Sequence, residues 1–436
     1  MTKRHIGKTR RRTVLKTIGA SVTVGLAGCG GDSGDGSDGS DGSGSSGSDG
    51  SDGSGSSGSD GSDGSGGSDG GSTDGSSGPS PPYDIGMVTM GMSQQGLFTQ
   101  NMAGQWMVEN SDLSDSINLN IANGQLDPTK QTQDGLNFVN QGVDALLIMP
   151  IDSNGARQIV ERASEEDIPV MSYAITANHN EVDQYISFNS VEAGRMAGER
   201  MVELLREKNG EPSGQVITSV WSPESTASQQ RTRGFMEAIE PHPIEDVTRV
   251  VSDATASDTQ PKVYNALQRY PEIDAIYSNN QGSGLGAVQA LERFERLHTK
   301  DHDDHVILTQ VDGGPEINQY INDGYVDFGA DQPLHYYTPI GVTLLKRYLD
   351  EGKDPSVIPS VGDTIEDEDL LPSPSVFGFE PWGSEYYQPV NIIEYENEDV
   401  THPWFETQTI PITEDNAMSD NHWGTLYRQA SEAGET

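Results

Sequence analysis

The stretch Gly142-Val143-Asp144-Ala145-Leu146-Leu147-Ile148-Met149-Pro150 sets five apolar residues in a row between Asp144 and Pro150. An unbroken apolar run of this kind reads as a strand buried on both faces, the mark of a parallel sheet covered by helices. Its neighbours fit that setting. Upstream, 129–141 reads as a helix carrying Leu136 and Val139, and 117–122 as a strand. Before them, 97–110 reads as a helix around Trp106 and 85–90 as a strand. Downstream, 154–165 reads as a helix and 168–173 as a further strand.

The alternation then begins again. The span 193–208 is a helix by the spacing of Met196, Ala197, Met201, Leu204 and Leu205. Strands are expected at 215–220, 246–252, 273–278 and 306–311, with helices at about 226–239, 259–269 and 284–296. Two successive βα arrays predict an α/β protein with two doubly wound parallel-sheet domains. Ligands of such sheets bind beyond the carboxyl ends of the strands, and two facing domains place that position in the cleft between them. The residues to watch therefore follow strand ends: 90–98, 173–175, 221–229, 279–281 and 312–314.

Charge narrows the function. The 436 residues carry a formal net charge of −42. Past residue 80 there are 58 acidic and 19 basic side chains, and only six of the basic ones are lysines. This surface repels nucleic acid, whose phosphates must be met by Lys and Arg. It also disfavours electrostatic attraction to anionic lipid. Self-repulsion on this scale destabilises a compact state at low salt. A Debye length of about 3 Å at 1 M would screen it, so adaptation to molar salt, as in a halophilic archaeon, is expected. The single cysteine excludes an internal disulfide, leaving stability to a hydrophobic core.

That cysteine closes an N-terminal address. The first 28 residues hold seven Lys or Arg and no acid, followed by an apolar stretch at 18–27 too short to span a bilayer of about 30 Å. Arg11-Arg12-Thr13-Val14-Leu15-Lys16 resembles a twin-arginine export motif, and Leu26-Ala27-Gly28-Cys29 resembles a lipobox. Together they predict a signal peptide over 1–28 and lipidation at Cys29, with a second chain needed for stable anchoring. The span 29–82 is nearly all Gly, Ser and Asp, predicting a disordered tether with a reach of roughly 35–45 Å.

With these elements in place, the chain from about 83 to 350 resembles the periplasmic sugar-binding proteins of the ribose type. The likeness rests on 142–150 with Asp152-Ser153, on Ile168-Pro169-Val170, on Ser190-Val191-Glu192-Ala193-Gly194, and on 231–235, 273–290 and Val311-Asp312-Gly313 in order. It implies two α/β domains joined by three hinge strands that close over one ligand. The first domain would comprise 83–188 plus about 333–360, and the second 189–332 plus part of 361–436 with a C-terminal extension. Together with the N-terminal address, it implies a lipid-anchored monomer on the extracellular face of the membrane that hands a sugar-like solute to an ABC permease with a cytoplasmic ATPase, needing no cofactor and no metal. By the same likeness, Asn280 and Asp312 bond sugar hydroxyls, Gln332 contacts the sugar from the hinge, and Gln95 and Phe98 supply a polar contact and a ring. The family's central arginine aligns with Gln229, with Arg231 close by, and Trp221 stands at a strand end where it could stack on a ring.

Plainer roles stand beside these. Asp312-Gly313 is a common turn pair, and Asn280 is placed to cap the following helix. One departure is notable: the family's Asp-Arg pair after the fourth strand is replaced by Ala174-Ile175. Gly282-Ser283-Gly284-Leu285-Gly286 lacks the Lys-Ser/Thr of a phosphate loop, and Asp301-His302-Asp303-Asp304-His305 reads as a solvated loop rather than a metal site. No nucleophile elbow or catalytic dyad is evident, so a binding protein is expected rather than an enzyme. The rival readings are a sensory receptor on the same domain, a nucleoside- or polyol-binding lipoprotein, and a secreted hydrolase. The segment 376–405, with Trp382, Tyr386, Tyr387, Trp404 and Phe405, exceeds the usual family ending and reads as an extension packed on the body.

Overall fold

The computed structural model describes residues 80–223, 225–366, 370–371, 377, 389–397 and 400–434. Cys29, the signal and tether segments, and Trp382, Tyr386 and Tyr387 lie outside the described residues. No helix among the described residues is long and apolar enough to cross a membrane.

The first lobe starts as a βα array: β1 (Tyr83–Thr89), α1 (Gln95–Glu109), β2 (Ile117–Asn123), α2 (Pro128–Gln141), β3 (Ala145–Ile148), α3 (Arg157–Glu165), β4 (Val170–Tyr173) and β5 (Gln184–Phe188). All four residues of β3 are buried, as its unbroken apolar run requires. The helix before it has explicit ends. Asp127 accepts from the N–H groups of Thr129 and Lys130, Pro128 opens the first turn, and Gly142 leaves the helix at φ 70°.

The second lobe repeats the plan with α4 (Ser190–Asn209), β6 (Gly214–Trp221), α5 (Thr226–Ile239), β7 (Ile244–Ser252), α6 (Ala256–Arg269), β8 (Ala275–Ser278), α7 (Gln281–Arg293), β9 (Ile307–Val311), α8 (Pro315–Asn322) and β10 (Phe328–Asp331). The chain then returns to the first lobe through α9 (Leu334–Asp350), which is buried along most of its length and packs on β3, β4, β5 and α1. The remaining elements are β11 (Thr364–Ile365), β12 (Val390–Asn397), β13 (Val400–Thr407), β14 (Ile410–Ile412) and α10 (Trp423–Ala433).

The sheet orders are β11-β12-β13-β5-β4-β3-β1-β2 and β14-β10-β9-β8-β6-β7. Both central arrays are parallel, but the sheets are mixed. The extension, expected to lie partly in the second domain, adds β13 parallel to β5 and then an antiparallel pair, all in the first sheet. Among the described residues of the extension, only β14 joins the second sheet, antiparallel to β10. The physical reason is edge pairing. Each array ends on a strand whose outer N–H and C=O groups need partners, and the extension supplies them. The chain passes between lobes at 188–190, 331–334 and 407–410, so three segments form the hinge.

The two helices of the second lobe that matter most for the cleft approach very closely. A Cβ on Gly194 of α4 would lie 1.9 Å from the carbonyl oxygen of Arg231, and one on Gly234 of α5 would lie 1.9 Å from that of Val191. This contact fixes the part of α5 that carries Arg231.

Candidate binding cleft

The carboxyl ends of both central arrays face a cavity of about 360 Å³ lined from both lobes. That volume falls in the range of small-molecule sites. A larger recess of about 770 Å³ lies elsewhere in the second lobe, around Lys208, His305 and Asp327. It sits where β9 and β10 begin rather than end, and its charged groups pair with one another, as in His305 with Asp327 and Lys300 with Glu414. The interlobe cavity is therefore the candidate site.

Its centre is a charged array. Arg231 is only 5% exposed. Its Nη1 donates to Asp312 Oδ2 at 2.9 Å and to the Asn279 carbonyl at 2.9 Å. The guanidinium carbon lies 5.0 Å from the Trp221 ring and 5.2 Å from the Phe188 ring, a cation held between two π faces. Its Nε is buried without a hydrogen-bond partner. Gln332 Nε2 donates to Asp312 Oδ1 at 2.5 Å, while Gln332 Oε1 accepts from the Tyr337 hydroxyl. Asp312 itself has φ 73°, a left-handed backbone uncommon for a residue other than glycine. Leu126, Ala174, Ser222 and Ala254 also have positive φ, and all four line the same cavity. Strained backbone of this kind gathers at functional sites.

The expected residues divide cleanly. Trp221, Arg231, Asn280, Asp312 and Gln332 come together in the cavity wall. Asn280 also caps α7: its Oδ1 accepts from the Ser283 N–H and its Nδ2 donates to the Ser283 hydroxyl. Gln95 stands at the rim, accepting from Gln281 and donating to Glu316, and so joins α1 to the second lobe. Two expectations need correction. Gln229 is exposed and donates to the Pro223 carbonyl, because two helical positions turn it about 200° from Arg231. Phe98 faces Phe377 and Tyr427 instead of the cavity, since its neighbour Leu97 holds the inward position on α1.

The C-terminal part of the lining lies outside the stretches that strand ends marked. Trp423 enters the cavity wall from α10, its indole Nε1 donating to Asp331 Oδ1 at 3.1 Å. His422 Nδ1 donates to the other oxygen of the same carboxylate at 2.9 Å. These residues lie far along the chain from every strand end of the βα arrays, where no periodicity marks them.

A family profile described as a periplasmic binding protein domain matches residues 85–354, more than half of the chain. The chain belongs to this family. Among curated relatives, the ribose import binding protein RbsB of Bacillus subtilis (strain 168) is 30% identical over 171 residues, 39% of this chain and 54% of that protein. The galactofuranose-binding protein YtfQ of Escherichia coli (strain K12) is 25% identical over 286 residues, 64% of this chain and 87% of that protein. The chain thus spans about half the length of the first of these relatives. A solved galactofuranose binding protein superposes with a TM-score of 0.60 at 18% identity, covering 81% of this chain and 100% of that one. At that identity the likeness establishes the fold: two α/β lobes with mostly parallel, mixed sheets, the type I periplasmic binding protein fold.

Proposed function

We propose that this protein is an extracellular solute-binding protein that captures a sugar or sugar-like small molecule between its lobes and delivers it to an ABC importer. It binds and releases its ligand without chemical turnover. The observation that carries this reading is the array of Arg231, Asp312 and Gln332 at the centre of the interlobe cavity. Fixed donors and acceptors there suit the hydroxyls of a polyol. The ribose- and galactofuranose-binding relatives support it. A ligand touching both lobes would shift the population toward the closed form.

Calorimetric titration with pentoses, hexoses and inositols in molar salt tests it. At least one should bind, and Asp312→Ala should abolish that binding. Loss of the carboxylate also strands a buried Arg231, so the variant should be less stable by about 3–5 kcal/mol. Unchanged affinity in Asp312→Ala would remove this residue from the site.

The N-terminal motifs support export by the twin-arginine route and anchoring through a lipidated Cys29. The Gly/Ser/Asp tether would then hold a monomeric receptor near its permease. Mass spectrometry of the mature N-terminus should find Cys29 first and bearing lipid; an unmodified thiol would refute the anchor. The acidic balance supports life in molar salt. Dialysis to low salt should unfold the protein, and full retention of structure there would count against that adaptation.

A further inference from the structure

The two walls of the cavity differ in chemistry. The second lobe and the hinge present Arg231, Asp312 and Gln332. The first lobe presents Met90, Leu97, Leu126, Met149 and Ile175, with Trp423 beside them, and no described first-lobe residue in the lining is charged.

Leu126 is the most telling of these. It is 45% exposed, one of three large apolar side chains so exposed among the described residues. Its backbone is left-handed at φ 60°, and Gln125 before it has φ 56°. The loop is held in this shape by Leu126 N–H donating to the Met90 carbonyl and Gly124 N–H donating to the Thr89 carbonyl. A left-handed backbone is uncommon for leucine, and here it accompanies a side chain that forms part of the cavity wall. Within the same wall, Gln100 is 2% exposed, and its Oε1 is a buried acceptor without a partner. The wall is thus largely apolar, with Gln94 and Gln100 as its polar members.

We infer that the ligand is a sugar or polyol bearing an apolar or aromatic substituent. The hydroxylated part meets Arg231, Asp312 and Gln332, and the substituent lies on Leu126, Met90 and Ile175. This rests on the sugar-binding reading above and adds a second half to the ligand. A simple sugar has only the C–H face of its ring to set against this wall, whereas a substituent adds apolar area and so affinity.

The test is a matched panel in calorimetry: D-ribose with adenosine, D-galactose with phenyl β-D-galactopyranoside, and D-glucose with its methyl and phenyl glycosides. At least one substituted member should bind roughly tenfold or more tighter than its parent, a gain of the size apolar pockets give. Leu126→Ser, which changes an exposed side chain and should fold, should erase that gain, so that the derivative and its parent bind alike. Parents binding as tightly as their derivatives would overturn the inference while leaving the sugar reading intact. A preference that persists in Leu126→Ser would overturn the assignment to this wall. Binding by no member of the panel, nor by any unsubstituted pentose, hexose or inositol, would overturn the sugar reading and this inference with it.

Discussion

Arg231 and Gln229 show how much turns on a single helical position. Alignment favours Gln229, yet the side chain two positions on is the one buried between Trp221 and Phe188 and bound to Asp312. The choice was hidden in the sequence because both stand in the same polar helical segment, and only the face presented to the cleft separates them. His402 makes a testable residue-scale case. It is 4% exposed on β13, its Nε2 lies 3.1 Å from the Thr176 hydroxyl, and its ring stacks on Tyr395. Burial pushes its pKa down to about 4, against a smaller upward pull from the Pro403 carbonyl. A group depressed in the folded state lends stability above its unfolded value of about 6.5, and that stability is lost as pH falls. Burial beside His422 pushes His335 down to about 3, with the same sign. His402→Gln should therefore make unfolding free energy fall less steeply between about pH 6.5 and 5, by up to about 1.4 kcal/mol per pH unit. An unchanged slope in denaturant titrations would show that His402 charges without cost.

At the scale of elements, the helices and strands of the two βα arrays were the most legible features. The apolar run at 145–149, the spacing along 193–208 and the strand at 306–311 all reappear as β3, α4 and β9. The crossing of α4 on α5 was not legible, because a glycine in a helix does not reveal which backbone approaches it. That contact can be tested at Gly234. Alanine improves on glycine by about 1 kcal/mol in an isolated helix. Here its Cβ would meet the Val191 carbonyl at 1.9 Å, a clash with backbone that cannot swing aside. The clash should win, and Gly234→Ala should lower stability by about 1–3 kcal/mol. Arg231 lies one turn earlier on the same helix, so ligand affinity should fall as well. A variant as stable as the parent, with unchanged affinity, would show that the helices separate freely.

For the molecule as a whole, the C-terminal extension is the largest addition to the reading. Its strands pair with the exposed edges of both sheets, and α10 packs on α1 in one lobe and on α8 in the other. Gly424 rests on the Gly314 backbone, and Trp423 and His422 hold Asp331 at the second hinge crossing. A segment tied to both lobes limits how far they part. Deleting 413–436 should raise the ligand-free radius of gyration in solution scattering and weaken ligand binding. A deletion that changes neither would mean that α10 is a passenger on the cleft.

The sequence alone determined the two-lobe α/β plan, because a run of apolar residues bounded by turns is a local property that burial on both faces of a sheet demands. It also marked Asp312 and Asn280, because each follows a strand that points at the cleft, while Gln332 was marked by the family likeness. Only the tertiary structure decided that Arg231 rather than Gln229 completes the array and that Phe98 turns away. It alone brought Trp423 into a cavity whose other walls lie far earlier in the chain. Those outcomes depend on helix rotation and on contacts between segments distant in sequence, and neither leaves a periodic trace along the chain.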